Sequence, residues 1–252
     1  MNKEYYYIYN ISYWTGNNRL NNIYEHISYV KSCKEQGKKN LVVISVAEDT
    51  EEQEMRSKIN SFSKEQDDDT DIKILYRKNT GGTVRAMWEL YKLLEKENVT
   101  SKYFCTTEDD FICTKPVESF QPYFDKGMTW IGSYWFEDSH KDEKEYEKTG
   151  IKKMSTNYAP FLQCSYPEER LPMYRWTEDP YIMPFENLKK IEDAIGIFTL
   201  APEQEHFLHG RHGVFFGEVG FPSRAYMAGL RYRGLRFSEY FKFLNKDSNW
   251  NK

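Results

Sequence analysis

The sequence has few cysteines, no excess of positive charge and no long apolar run, and each absence excludes a class of protein. Its four cysteines form no C-x-x-C pair, so neither a disulfide framework nor a structural zinc site is expected. The net charge of −4 argues against a protein that binds nucleic acid through a basic surface. No stretch approaches the roughly 18 apolar residues that a membrane-spanning helix needs.

The first residues, Met1-Asn2-Lys3-Glu4, do not have the pattern of a secretory signal peptide. Together with the unpaired cysteines, this predicts a reduced, intracellular protein. We therefore expect a cytoplasmic location, with peripheral contact to a membrane left open. The sequence also leaves the oligomeric state open.

Aromatic residues are abundant: 20 Tyr, 16 Phe and 6 Trp make up 17% of the 252 residues. The mean hydropathy is nevertheless only −0.80. This combination indicates a globular protein whose apolar mass is carried by rings, and it argues against disorder. The length predicts one α/β domain.

Strand and helix patterns alternate along the first half of the chain. Apolar and β-branched runs predict strands at 5–11, 41–47, 72–76, 103–107 and 128–135. Amphipathic spacing predicts helices at 20–30, 51–62, 84–94, 186–195 and 223–230. The alternation predicts a mostly parallel sheet flanked by helices, with ligands bound beyond the carboxyl ends of its strands. Residues 158–187, which are rich in proline, predict an ordered irregular segment.

Two motifs fall at that expected ligand edge. Gly81-Gly82 opens a helix, where unpaired backbone N–H groups and the helix dipole favour a phosphate group. Glu108-Asp109-Asp110 ends the next strand, and a divalent cation is the simplest remedy for the mutual repulsion of three carboxylates. Either motif alone is more often an ordinary turn. Their order within one βαβ unit predicts a metal-bound diphosphate.

The order of these motifs resembles that of the GT-A glycosyltransferases. The matching features are Asn79-x-Gly81-Gly82-x-x-x-Ala86, the acidic triplet, and the late run Gly217-Glu218-Val219-Gly220-Phe221-x-x-Arg224. The pattern is most similar to the inverting family 2, in layout over residues 5–135 and in motif over 213–235. The resemblance implies a single domain, 1–252, whose residues 1–115 bind a nucleotide sugar and whose residues 116–252 bind the acceptor.

The resemblance also implies a cofactor and its ligands. In this family the last acid of the triplet binds Mn²⁺ or Mg²⁺, which makes Asp110 the main metal ligand. Glu108 becomes the ribose contact or a second metal ligand, and Asp109 supports it. His212, one of three histidines spaced by three residues, is a further candidate ligand, although separate surface histidines would give the same pattern.

The remaining donor contacts follow from the same resemblance. Lys78 and Arg85 lie where they could meet phosphate beside Gly81 and Gly82, and Glu48-Asp49 falls where the family holds the nucleotide base. Asn10, in Tyr9-Asn10-Ile11-Ser12, stands in for the family's first-strand signature. The implied partners are a nucleoside-diphosphate sugar, with UDP favoured, and a glycan, polysaccharide or glycoconjugate acceptor.

An inverting transfer needs one general base to take the proton of the acceptor hydroxyl. Glu218 sits where the family carries its base, and its aromatic neighbours would raise its pKa through poor hydration. Val219 replaces the second acid that commonly follows in this family. Asp179, in Trp176-Thr177-Glu178-Asp179-Pro180, is the alternative base.

Other classes fit the motifs less well. A sugar nucleotidyltransferase would carry a glycine-rich loop after the first strand, and Trp14–Arg19 lacks that glycine density. A glycoside hydrolase also uses two carboxylates but does not require the Gly-Gly helix start. A non-catalytic carbohydrate-binding protein would need no acidic triplet at the end of a strand.

Overall fold

The computed structural model describes residues 3–48, 52–125, 127, 130–134, 178–198, 221, 224–225, 228–230 and 232–244. Its strands are β1 (Lys3–Trp14), β2 (Asn40–Glu48), β3 (Thr70–Lys78), β4 (Val99–Glu108), β5 (Phe111–Cys113), β6 (Trp130–Tyr134), β7 (Glu178–Pro184), β8 (Tyr232–Arg236) and β9 (Phe241–Phe243). Its helices are α1 (Leu20–Ser32), α2 (Gln53–Asn60), α3 (Gly82–Glu97), α4 (Gln121–Phe124), α5 (Phe185–Ala194) and α6 (Phe237–Tyr240).

Seven strands form one sheet in the order β3-β2-β1-β4-β7-β6-β8, and β5 pairs with β9 in a small second sheet. The pairs β3–β2, β2–β1, β1–β4 and β6–β8 are parallel, whereas β7 runs antiparallel to both β4 and β6. The mostly parallel sheet flanked by helices, expected from the sequence, is therefore confirmed.

The structure corrects one element of the prediction. Residues 178–184, at the end of the segment predicted to be irregular, form strand β7. The apolar run Tyr181-Ile182-Met183 is flanked by Pro180 and Pro184, and this density of proline masked the strand. Strand β8 was not predicted either. Residues 135–177 lie outside the described part of the chain.

Each face of the large sheet carries its own hydrophobic core. On one face, Ile8, Val43 and Phe104 pack with side chains of α3 and α5, including Met87, Leu90, Leu188 and Ile191. On the other face, the tyrosine-rich strand β1 contributes Tyr7 and Tyr9, which pack with Ile23, Ile27 and Val30 of α1. Strand β2 is buried on both faces, as its continuous apolar run predicted.

In the described residues, no helix combines the length and the apolar character that crossing a bilayer requires. Cys33, Cys105 and Cys113 are buried free thiols in the same part of the chain.

At the amino-terminal edge of the sheet, opposite the ligand edge, Asp71 of β3 bonds residues of β1 and the residue that precedes β2. Its carboxylate accepts hydrogen bonds from Lys3 Nζ (2.8 Å), Tyr5 Oη (2.7 Å) and Lys39 Nζ (3.2 Å). Burial alone would raise the pKa of Asp71, but these three donors outweigh it and lower the pKa to about 2. The charged carboxylate is thus stabilised by folding.

Replacing Asp71 by Asn should reduce the free energy of unfolding at pH 7 by about 1–2 kcal/mol, since the folded state favours the charged form. The pKa is lowered from 3.8 to about 2, so the stabilisation is complete above pH 4 and disappears as the pH falls towards 2. Urea denaturation at several pH values measures this. Asp69→Asn, which removes an exposed ion pair with Lys34, is the control and should cost less than about 0.5 kcal/mol. An Asp71→Asn deficit that stays constant down to pH 2 would contradict the ionic origin.

Candidate functional site

The carboxyl ends of the central strands meet at one edge of the sheet. Ser12 at the end of β1 is in register with Glu108 at the end of β4, and Glu48 of β2 is in register with Lys78 of β3. Strand β7 is antiparallel and therefore begins at this edge, with Tyr181 opposite Thr106. The chain thus brings four strand ends and one strand start together.

Glu108, Asp109 and Asp110 form a tight acidic turn at this edge, between β4 and β5. The Thr107 hydroxyl donates to the carbonyl of Phe111 at 2.8 Å, which closes the turn from within. The backbone N–H of Leu244 donates to the carbonyl of Asp110 at 2.9 Å. The position of the acidic turn is therefore fixed by backbone contacts and leaves its side chains for other partners.

A buried histidine is hydrogen-bonded to the backbone of the acidic turn. His26 of α1 is fully buried, and its Nε2 lies 3.1 Å from the carbonyl oxygen of Asp109. Burial lowers the pKa of His26 to about 4, so the ring is neutral at pH 7. Because a carbonyl can only accept, Nε2 carries the proton and Nδ1 accepts from the Tyr9 hydroxyl at 2.8 Å. This chain of hydrogen bonds connects β1 to the acidic turn.

The positive group at the acidic turn is Arg19, which follows β1 in the loop before α1. Its Nη1 lies 2.6 Å from Asp110 Oδ2 and 3.7 Å from Asp109 Oδ1. The sequence predicts a divalent cation as the group that offsets the repulsion of the acids, whereas the structure has an arginine beside them. Among the described residues, Arg19 is paired with two of the three carboxylates, and the charge of Arg77 also acts on Glu108.

Burial raises the pKa values of all three acids. Burial, together with the charge of Asp110, raises the pKa of Asp109 to about 7. Burial also raises the pKa of Asp110, although Arg19 opposes the shift. Burial and Asp110 raise the pKa of Glu108 to about 7, although Thr83, Arg19 and Arg77 oppose the shift.

The acids present a donor set that fits a divalent cation. Asp109 Oδ2 and Asp110 Oδ1 are buried and have no hydrogen-bond partner among the described residues. Within those same residues, no group of three His, Cys, Asp or Glu side chains is arranged to hold a metal ion. Mg²⁺ characteristically takes one or two carboxylates and completes its shell with water and substrate phosphates, so two oxygens suffice.

The first turn of α3 lies against the acidic turn. The Thr83 hydroxyl is 3.3 Å from Glu108 Oε1, which places the start of the helix beside the carboxylates. No side chain caps this helix start, and Gly81 precedes it in the left-handed conformation with φ of +70°. The start of α3 and the acidic turn are therefore adjacent.

A buried arginine supports the glycine turn. Arg77 Nη1 donates to the carbonyls of Lys78 and Thr80, both at 3.2 Å, and Nη2 donates to the Ser12 hydroxyl at 3.0 Å. Burial lowers the pKa of Arg77 to about 10, so the guanidinium remains charged at pH 7. Arg77 therefore ties the turn that precedes α3 to the end of β1.

The other residues predicted to contact the donor differ in their exposure and in their hydrogen-bond partners. Arg85 donates to Thr80 Oγ1 (2.9 Å) and Glu89 Oε1 (2.8 Å), while Lys78 is exposed. The Glu48 carboxylate is bonded by Arg56 through Nε and Nη2. Asn10 is fully buried, and its amide bonds Thr106 (2.9 Å) and Ser45 (2.6 Å) inside the sheet.

Two of the expected catalytic or metal-binding residues lie outside the described residues, namely Glu218 and His212. Asp49 also lies outside them. Asp179 belongs to the first residues of β7, and its backbone is at the same sheet edge as the acidic turn.

Sequence reasoning missed Arg19, His26 and Arg77. Arg19 could have been found, because it follows a strand predicted at the centre of the sheet and the acids require a positive partner. His26 falls within a predicted amphipathic helix, where a core histidine gives no distinct signal. Arg77 directly follows the strand predicted at 72–76, but no role was predicted for it.

The described residues form a mostly parallel α/β sheet, and the acidic turn and the start of α3 lie at the carboxyl ends of its strands. No protein-family model matches the sequence, and no curated protein is similar enough to match it. Among solved structures, S. aureus TarS aligns with 94% of this chain at 10% identity and a TM-score of 0.53. The match covers 36% of TarS, so this chain spans about a third of its length.

Two further structures align over most of the chain with lower scores. Mouse xyloside xylosyltransferase 1, in its apo form, covers 93% of this chain and 86% of its own at 10% identity, with a TM-score of 0.42. Core-mannan synthase A of Aspergillus fumigatus, in a Mn/GDP form, covers 94% and 74% at 11% identity, with a TM-score of 0.37. The likeness to TarS shows a shared α/β fold.

Gly81 should tolerate alanine less well than a glycine with the same backbone conformation in open space. A Cβ on Gly81 would lie 2.8 Å from Arg85 Cβ and 3.0 Å from Phe198 Cε2, whereas one on Gly37, with φ of +76°, would meet nothing within 4 Å. We expect Gly37→Ala to cost about 1 kcal/mol from backbone strain alone. Gly81→Ala should cost about 2–4 kcal/mol, because overpacking adds to the strain. Urea denaturation of both variants measures the difference, and equal losses would show that the close approach at Gly81 is relieved without cost.

Proposed function

We propose that this protein is a glycosyltransferase that moves a sugar from a nucleoside-diphosphate sugar to a hydroxyl acceptor, with a divalent metal and with inversion. The observation that carries the proposal is the contact between Thr83 in the first turn of α3 and Glu108 of the acidic turn. It brings an uncapped helix N-terminus, suited to phosphate, against carboxylates suited to a cation. A metal-bound diphosphate requires these two environments side by side.

The diphosphate of the donor would lie over the start of α3. The N–H groups of its first turn have no side-chain cap, and the helix dipole adds partial positive charge there. Lys78 is exposed at the end of β3, and Arg85 lies one turn into the helix, so both could reach phosphate oxygens. Gly81 has no side chain that would keep the phosphates away from the backbone at this turn.

Asp110 is the proposed main ligand of Mn²⁺ or Mg²⁺, with Glu108 as the second ligand or the ribose contact. The unpartnered Asp109 Oδ2 makes Asp109 a further candidate beside its supporting role. When bound, the metal would neutralise the charge that grows on the departing diphosphate. His212 stays a candidate ligand.

The donor base would lie near the end of β2, where Glu48 is held by Arg56. The Arg56 guanidinium also lies over the Tyr76 ring, 4.6 Å from its centroid. Arg56, which lies over Tyr76 and bonds Glu48, would form a flat surface with the Glu48 carboxylate as a hydrogen-bond acceptor. Such a surface suits recognition of a planar base. Asn10, which is bonded within the sheet, would act by keeping β1 and β4 in place beneath the donor. UDP is the favoured nucleotide, and a glycan, polysaccharide or glycoconjugate is the proposed acceptor class.

The general base is proposed to be Glu218, with Asp179 as the alternative. The backbone of Asp179 lies at the sheet edge that carries the acidic turn, which supports its candidacy. The support for Glu218 is its place in the sequence motif. Either carboxylate would take the proton of the acceptor hydroxyl as that oxygen attacks the sugar from the face opposite the diphosphate.

Asp110→Asn should remove most of the metal dependence of nucleotide binding while leaving the fold intact. The wild type should bind UDP or GDP at least tenfold more tightly with Mn²⁺ than without it, because a cation held by Asp110 would neutralise the charge of the diphosphate. Isothermal titration calorimetry with and without Mn²⁺ measures this for each protein.

Glu97→Gln is the matched control for that experiment, because Glu97 ends α3 at the far side of the sheet and pairs with Lys73. It should bind like the wild type. Unchanged metal-dependent binding in Asp110→Asn would remove Asp110 from the metal site. If the wild type binds no nucleoside diphosphate with any divalent metal, the proposed function is wrong.

The general base can be identified by comparing Glu218→Gln with Asp179→Asn. The variant that lacks the base should keep its donor affinity but lose about 10²-fold or more in turnover, since an amide cannot accept the proton. Initial-rate measurements with a competent acceptor give the answer. If Asp179→Asn is impaired and Glu218→Gln is not, the base is Asp179, and full activity in both variants would exclude the inverting mechanism through these residues.

A further inference from the structure

Arg19 contacts the acidic turn through a single nitrogen. Its Nη1 lies 2.6 Å from Asp110 Oδ2 and 3.7 Å from Asp109 Oδ1. At the end of β2, by comparison, Arg56 uses both Nε and Nη2 to hold Glu48. A pair made through one nitrogen lacks the fixed fork geometry that makes bidentate pairs strong.

The position of Arg19 also allows its side chain to change conformation. The side chain is 28% exposed, and it follows a short turn in which Asn18 adopts the left-handed conformation with φ of +49°. A long, partly solvated side chain on a loop can change its rotamer without disturbing the core. The carboxylates, in contrast, are fixed through the backbone contacts of His26 and Leu244.

Arg19 leaves the acidic turn short of positive charge. Among the described residues, no other cation is paired with Asp109 or Asp110. Each of these carboxylates keeps one buried oxygen without a hydrogen-bond partner in that part of the chain. Asp109 is only 2% exposed, so water cannot readily satisfy its free oxygen. A small dication would supply twice the charge of a guanidinium and could engage these oxygens.

We propose that Arg19 is an exchangeable counter-ion: it holds the acidic turn when no metal is bound, yields it to the divalent cation, and then contacts the donor's diphosphate. The inference rests on the proposed function, because it takes the metal and the diphosphate from it. A guanidinium released beside a metal-bound diphosphate finds phosphate oxygens, which it binds with charge-assisted hydrogen bonds. Metal binding would therefore prepare the site for the donor in two ways, through its own charge and through the freed Arg19.

Arg19→Met tests the first step, since it removes the charge but keeps most of the side chain's length. Without nucleotide, Arg19→Met should bind Mn²⁺ about tenfold or more tightly than the wild type, because no charge-assisted hydrogen bond has to be broken. Arg19→Lys should remain near the wild type. Calorimetric titration with Mn²⁺ alone measures this, and thermal melting shows that each variant is folded.

Arg56→Met is the matched control, because it removes a comparably exposed arginine from a carboxylate at the end of a neighbouring strand. Its Mn²⁺ affinity should equal that of the wild type. If Arg19→Met fails to fold, Arg19→Gln replaces it. A folded neutral variant that binds Mn²⁺ no more tightly than the wild type would overturn the proposal.

The second step is tested with UDP at saturating Mn²⁺. Here Arg19→Met should bind UDP about five- to tenfold more weakly than the wild type, because the phosphate contact is missing. Unchanged UDP affinity would overturn the diphosphate contact. A wild type that binds Mn²⁺ but no nucleoside diphosphate would instead refute the proposed function, while tighter Mn²⁺ binding by Arg19→Met would still support the exchange at the acidic turn.

Discussion

Three carboxylates concentrated in one turn create a repulsion that the surrounding structure has to offset. Glu108, Asp109 and Asp110 are consecutive residues at the end of a buried strand. The backbone therefore cannot place their charges far apart. Arg19 offsets part of the charge, and Thr83 donates to the third acid. Burial raises the pKa values of all three acids, so the surrounding protein disfavours their charged forms relative to water. Charge at this turn, more than shape, makes the sheet edge a candidate site for ligands.

The acids keep their arrangement because neutral groups hold the backbone beneath them. His26 is deeply buried, and its low pKa keeps it uncharged, so it donates to the Asp109 carbonyl without adding charge to the turn. A protonated ring in the same place would be costly to bury. Tyr9 fixes the tautomer from the centre of the sheet. The tyrosine-rich first strand thus serves the site as well as the core.

The sequence was informative where a local pattern decides the structure. Continuous apolar runs gave β2 and β4, and the glycine pair gave the start of α3 to within a residue. It was less informative where partners are distant. Arg19 and Asp110 are 91 residues apart, and their contact follows only from the pairing of β1 with β4. Strand β7 was missed because its prolines suppress the strand signal, although Pro184 is its last residue and Pro180 lies near its start.

The acidic turn is closed by groups that come from widely separated parts of the chain. His26 lies 83 residues before Asp109, and Leu244 donates to Asp110 from beyond β9. Contacts of such sequence separation require long loops to be closed, so the turn has this arrangement only in the folded chain. An unfolded or partly folded chain would lack the arrangement altogether. Any ligand of this turn must therefore bind the native state selectively, which couples occupancy of the site to the survival of the whole fold.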